Sequence, residues 1–199
     1  MAMIIKEGDA MQKPKGFTLV ELMVSCAILS ILIVLIVPNF NEFIIKTRVD
    51  SQISQLHRLL LITRNSAINY NQNVTLCPLN KHLECTVNWQ DELSVFIDFN
   101  DNGVLNPESN EKVIKVKAAV KYGDQLQYGL KRNKIKFAAT GRTTGWGSNG
   151  TFKLCPQRKR QFSRAIIVAT SGRFYLSSDI DNDGKDENRR GAEIICRPE

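Results

Sequence analysis

From Phe17 to Val37 the chain is apolar at almost every position, broken only by Thr18, Glu21, Ser25 and Ser30. At 1.5 Å of rise per residue, a helix of about 21 residues spans the roughly 30 Å hydrocarbon core of a bilayer. Beyond Pro38 the pattern becomes periodic. Val49, Ile53, Leu56, Leu60, Thr63, Ala67 and Tyr70 follow at alternating spacings of four and three, which places them on one face of a helix. The pattern predicts one long helix from about Thr18 to Tyr70, kinked near Pro38, whose second half packs on a core. Asn71-Gln72-Asn73 ends it.

From Val74 the periodicity shortens. Runs rich in β-branched and aromatic residues cover 74–77, 93–99, 112–120, 125–130, 134–138, 151–155, 165–170, 173–177 and 192–196, with Gly, Asn, Asp and Pro between them. Strands that follow a single long helix predict an α+β protein with an antiparallel β-sheet head. His57, on the helix, is expected at the surface or the boundary of the core.

Residues 1–16 are polar and end in Lys13-Pro14-Lys15-Gly16. No small-residue cleavage site follows the apolar run, so a secretory signal peptide does not describe this segment. A carboxylate near the end of an apolar helix is costly, which makes Glu21 a functional candidate. The stretch Lys15-Gly16-Phe17-Thr18-Leu19-Val20-Glu21-Leu22 resembles the processing motif of type IV pilins and type II secretion pseudopilins. The resemblance implies a leader at 1–16, removed by a prepilin peptidase that cuts between Gly16 and Phe17 and methylates the new N-terminus. Glu21 then becomes the fifth mature residue and Pro38 the twenty-second, both positions the family marks. It implies a transmembrane and filament-core helix at 17–37, an amphipathic continuation at 38–72 and a head at 73–199. Glu21 is expected to pair with the α-amino group of Phe17 on a neighbouring subunit during assembly.

Five cysteines bear on the compartment. Cys26 lies within the apolar run, while Cys77, Cys85, Cys155 and Cys196 lie beyond it and allow three pairings. Disulfides require an oxidising compartment, which for a bacterial membrane-anchored protein is the periplasm. The segments Leu76-Cys77-Pro78, Cys85, Trp89 and Val95-Phe96-Ile97-Asp98 resemble the GspH/FimT group of minor pilins and pseudopilins. So do Gly141-Arg142, Asn149 to Cys155, Ala165 to Val168 and Ser171-Gly172-Arg173. That likeness implies the pairs Cys77–Cys85 and Cys155–Cys196. It also implies the partners: other pilins or pseudopilins, the prepilin peptidase/N-methyltransferase, an inner-membrane assembly platform and the lipid of the inner membrane. The chain is expected there as a single-pass protein with its head in the periplasm, and in a pilus or pseudopilus after assembly.

The chain carries a formal net charge of +7, and loss of three lysines against two carboxylates with the leader leaves +6. A basic surface suits acidic partners. Lys131, Arg132, Lys134 and Lys136 cluster, as do Lys153, Arg158, Lys159, Arg160 and Arg164. In the DNA-binding competence pilins that the chain resembles, a G-R-x-R motif contributes to uptake. Here Gly172-Arg173-Phe174-Tyr175 keeps Arg173 and lacks the second arginine. Lys153, Arg158, Lys159, Arg160, Arg164 and Arg173 are therefore the candidate DNA contacts.

Two acidic loops match the first half of a calcium loop: Asp98, Asn100 and Asn102 before Gly103, and Asp179, Asp181 and Asp183 before Gly184. Neither has the closing Glu, since Ser109 and Arg190 stand at the twelfth positions, and a hydrophilic turn is the plainer reading of both. No P-loop, nucleophile elbow or H-E-x-x-H zinc motif occurs, so no enzyme and no cofactor is expected. Three functions share this layout: a minor pilin that primes or joins a type IV pilus, a DNA-binding pilin for natural transformation, and an H-type pseudopilin of type II secretion.

Overall fold

The computed structural model describes residues 16–145 and 149–197; the side chains of 35–39, Pro38 among them, lie outside the described residues, as does the expected leader 1–15. The chain divides into two units, Met1–Asn41 and Glu42–Glu199. The single α-helix among the described residues, α1 (Leu19–Tyr70), belongs to both.

Within the first unit, α1 begins one residue later than the pattern predicts. Its apolar residues from Leu19 to Val34 are exposed on every side. Among the described residues no helix is long and apolar enough to cross a membrane. The span foreseen at 17–37 runs into positions 35–37, whose side chains lie outside the description, and the foreseen kink falls there too.

In the second unit α1 presents the periodic face. Val49, Ile53, Leu56, Leu60, Thr63 and Ala67 are all buried, whereas Tyr70, at the last turn, is exposed. Leu59 and Gln52 widen the buried stripe. Thr63 satisfies its hydroxyl on the Leu59 carbonyl at 2.7 Å, which lets a polar side chain sit in the core without cost in lost hydrogen bonds.

Eight strands follow: β1 (Val74–Pro78), β2 (Leu93–Ile97), β3 (Val113–Lys117), β4 (Asp124–Tyr128), β5 (Ile135–Phe137), β6 (Gly150–Pro156), β7 (Arg164–Val168) and β8 (Phe174–Leu176). Each has its ends within three residues of those of a predicted run. The ninth run, 192–196, forms no strand and contributes only an isolated bridge between Glu187 and Glu193. The strands build two four-stranded antiparallel sheets, in the orders β3-β2-β1-β5 and β4-β6-β7-β8. β4 alternates buried and half-buried residues, while β1 and β2 are buried throughout. The second faces of β1 and β2 are covered by a separate small cluster in which Cys77, Phe96 and Leu105 pack with Leu79, Leu83 and Cys85.

The main core joins the helix stripe to both sheets through Leu76, Val95, Phe137, Phe152, Leu154 and Ile166. Trp89, Tyr128 and Phe152 form an aromatic group within it, with centroids 4.0–5.2 Å apart. The Trp89 indole donates to the Arg132 carbonyl at 2.7 Å. A polar lock joins helix and sheet: the buried carboxylate of Asp124 accepts from Arg48 at 2.8 Å and from Gln52 at 2.6 Å. Two disulfides, Cys77–Cys85 and Cys155–Cys196, complete the head.

Candidate functional site

The helix start is built from two residues of the sequence motif. Glu21 donates its backbone N–H to the Thr18 hydroxyl at 3.2 Å, and the Glu21 carboxylate accepts the Thr18 N–H at 3.4 Å. This reciprocal exchange is a capping box, which satisfies two otherwise orphaned donors and puts negative charge at the positive end of the helix dipole. Gly16 and Phe17 precede it in exposed, non-helical backbone, with Phe17 85% exposed.

The structure separates the basic candidates. Lys159 pairs with Glu42 at 2.6 Å, and Arg164 bridges Asp50 at 2.9 Å and Asp186 at 3.2 Å, so both serve internal contacts. Lys153 donates to the Ile195 carbonyl at 2.7 Å. Burial, and then the nearby Arg197 charge, pull its pKa down. Arg158, Arg160 and Arg173 form no ion pair among the described residues and are exposed.

Lys131, Arg132, Lys134 and Lys136, with Lys153 and Arg197, line an open groove of about 910 Å³ between the β4–β5 turn and β6. Lys136 is itself paired with Asp101.

A further arginine emerges only from the fold. Gly141 and Gly172 both occupy turns with positive φ, +71° and +76°. The turns abut so closely that a Cβ on Gly172 would collide with the Gly141 carbonyl oxygen and stand 3.2 Å from the Arg142 Cα. Thr143 N–H donates to the Thr170 carbonyl across the same junction at 3.2 Å. Arg142 and Arg173, both exposed, thus come from two turns 31 positions apart in sequence to one end of the head. The two Gly-Arg pairs in the sequence are the signal that could have found this; their contact could not be read from it. Arg64 of α1 donates to the Gly141 carbonyl at 2.9 Å beneath them.

The two acidic loops differ in how they are satisfied. In the first, both carboxylate oxygens of Glu111 accept backbone N–H groups, of Phe99 at 3.0 Å and Asn106 at 2.7 Å. Asp98 accepts from Thr75 and Gly103. In the second, Asp179, Asp181, Asp183 and Glu187 bring one carboxylate oxygen each to within 4.8 Å of one another. Glu187, eight residues after Asp179, is the member that sequence reading missed.

The chain matches the family described as type II transport protein GspH over residues 52–172, and the prokaryotic N-terminal methylation motif over residues 11–37. Its structure is similar to that of the type IV minor pilin FimU of Pseudomonas aeruginosa, with a TM-score of 0.53 at 16% identity, covering 68% of this chain and 92% of that one. The minor pseudopilin EpsH of the Vibrio cholerae type 2 secretion system is also similar, with a TM-score of 0.46 at 15% identity, covering 65% of this chain and 95% of that one. Comparison with curated proteins gives no match. None of these matches is an enzyme.

Proposed function

Since the chain belongs to the GspH family and carries the N-terminal methylation motif, we propose that it is a minor pilin processed after Gly16 and built into, or priming, a type IV pilus. One observation carries the reading. The helix from Leu19 to Val34 exposes apolar side chains on every side, and a surface of that extent is stable only against lipid or other apolar helices. Before assembly the inner membrane covers it, leaving the head in the periplasm, where its disulfides persist. In a filament, helices of other pilins replace the lipid. The capping box holds Glu21 at the helix entrance, where its second role is to meet the α-amino group of Phe17 on a neighbouring subunit. An uncompensated carboxylate in that apolar surrounding is costly, so the pairing favours one register.

Mass spectrometry of the chain expressed with a prepilin peptidase tests processing: cleavage between Gly16 and Phe17 with one added methyl group is expected. Glu21→Ala should be processed and inserted yet fail to enter sheared filaments. Normal incorporation of that variant would overturn the assembly role. Loss of pili in a deletion strain, with exoprotein secretion intact, is expected; the opposite pattern would make the protein an H-type pseudopilin.

The junction of the Gly141 and Gly172 turns favours a second role in gripping DNA. The Arg142 backbone stands beside Gly172, the neighbour of Arg173 in the chain, so a second arginine comes near the one that Gly172-Arg173-Phe174-Tyr175 offers alone. Phosphate contacts of this kind are sequence-independent and weaken with salt. Replacing both arginines with Gln should reduce duplex binding at low salt by roughly tenfold, about 1.4 kcal/mol. Unchanged retardation in a gel-shift titration would remove this role.

A further inference from the structure

We infer that the loop Asp179–Glu187 binds a calcium ion through Asp179, Asp181, Asp183 and Glu187. The inference does not rest on the filament role. The four carboxylates each place an oxygen within 4.8 Å of the others. The decisive member is Glu187. Its side chain is buried, at 4% exposure, and one of its oxygens has no hydrogen-bond partner. Its other oxygen accepts the Ile180 N–H at 2.7 Å, which fixes the carboxylate against the start of the loop. A buried carboxylate oxygen left unpaired costs several kcal/mol unless a cation or proton meets it. The same carboxylate stands among three exposed aspartates.

The spacing has a mechanical reason. Asp179, Asp181 and Asp183 occupy the first, third and fifth places of a tight loop, and Gly184, at φ +88°, takes the sharp turn at the sixth. A main-chain carbonyl serves at the seventh place in such loops, here Lys185, and Glu187 is the ninth. The loop is already curled about its centre: Asp179 accepts the Gly184 N–H at 3.0 Å, and Asp183 accepts that of Lys185 at 2.8 Å. The donors are all hard oxygens with no imidazole or thiolate among them, which selects calcium over zinc or copper.

Lys185 is the competitor. Its ammonium contacts Asp183 at 3.2 Å and Glu193 at 2.8 Å. Those contacts raise its pKa, and the Lys185 N–H and side chain lower that of Asp183. Asp183 is exposed and Lys185 half-buried, with 43% of its side chain open to solvent, so the ammonium can leave Asp183 and keep Glu193 when an ion arrives.

The first loop makes the contrast. Asp98 also has one buried unpaired oxygen, but its neighbours at the third and fifth places are the neutral amides of Asn100 and Asn102. Glu111 has both oxygens engaged, and Lys136 stands on Asp101. With Asp98 held by Thr75 and Gly103 and a local cation on Asp101, that loop gathers no comparable charge for an ion.

The test is calorimetric titration of the full chain in detergent micelles with calcium chloride, and with magnesium chloride in parallel. One site per chain is expected, with a dissociation constant on the order of 10⁻⁴–10⁻³ M, as in extracellular modules. Magnesium should bind at least tenfold more weakly. Glu187→Gln should weaken calcium at least tenfold. Asp181→Asn, at an exposed position that does not threaten folding, should do the same, whereas Asp98→Asn should leave the titration unchanged. Absence of heat up to 10 mM calcium, about ten times the weakest expected constant, would overturn the site. So would a titration indifferent to Asp181→Asn, or one abolished by Asp98→Asn alone.

Discussion

The Cys155–Cys196 bridge joins residues 41 positions apart, and Cys77–Cys85 joins residues only 8 apart. Removing both cysteines of a pair releases loop-closure entropy to the unfolded chain. The chain-entropy relation gives about 3.9 kcal/mol for the long loop and about 2.5 kcal/mol for the short one at 25 °C. The structure sharpens the difference. After Leu176 no strand forms among the described residues, and the tail is held by isolated bridges at Ser178, Glu187 and Glu193. Lys153 on Ile195 and the two bonds between Gln127 and Arg197 add to these. Ordering each residue of such a segment costs about 1–2 kcal/mol of backbone entropy, which a few hydrogen bonds do not offset. Cys155→Ala/Cys196→Ala should therefore lower the melting temperature by about 8–16 °C, at 2–4 °C per kcal/mol for a protein of this size. Cys77→Ala/Cys85→Ala should lower it by about 5–10 °C. Trp89, buried in the core, reports global unfolding by fluorescence once Trp146 is replaced by Phe. Limited trypsin digestion at Lys185, Arg189 and Arg190 reports the tail. The expected order is tail cleavage first, core unfolding second, in the long-bridge variant alone. A smaller loss for the long bridge than for the short one, by both melting and urea midpoint, would refute the reasoning.

Leu60→Ala, at a fully buried position of the helix stripe, should cost about 2–5 kcal/mol in urea denaturation. Asp124→Ala strands Arg48 and Gln52 at the helix–sheet contact. It should cost about 2–4 kcal/mol, less than for a fully buried pair because the Arg48 side chain keeps 29% of its exposure. Gly172→Ala combines positive φ with collision against the Gly141 carbonyl. It should cost more than about 1 kcal/mol and disturb the amide signals of Arg142 and Thr143 in an NMR spectrum.

What local pattern determines was readable from the sequence. The four–three spacing from Val49 to Ala67 foretold which side chains are buried, because helical geometry alone decides which residues share a face. Eight strands were legible from runs rich in β-branched and aromatic residues with turn residues at their ends. The ninth run failed because its bonding is set by Cys196 and by partners such as Lys153, not by its own alternation. That the strands form two sheets also depends on long-range pairing, as when β1 takes β5 as a neighbour across 56 intervening residues. Arg142 and Glu187 were missed on the same ground. Each acquires its meaning from a turn or loop that closes on a distant or buried neighbour.

The helix itself explains why such a chain works as a subunit. In its second half the apolar face is consumed: Val49, Ile53, Leu56 and Leu60 are already buried by the chain's own sheets. In its first half Leu19, Val20, Leu22 and Met23 are all more than half exposed. A folding unit that needed only itself would continue the stripe and place charges opposite. Here the first sixteen described helical residues hold one charge, Glu21. At about 25 cal/mol per Å² of apolar surface removed from water, covering such a segment is worth many kcal/mol. On the proposed reading that favourable free energy is realised by association, with lipid first and with other helices afterwards. The one charge stands at the start of that surface, and on the proposed reading the same residue that caps the helix in the single chain would also set the register between chains.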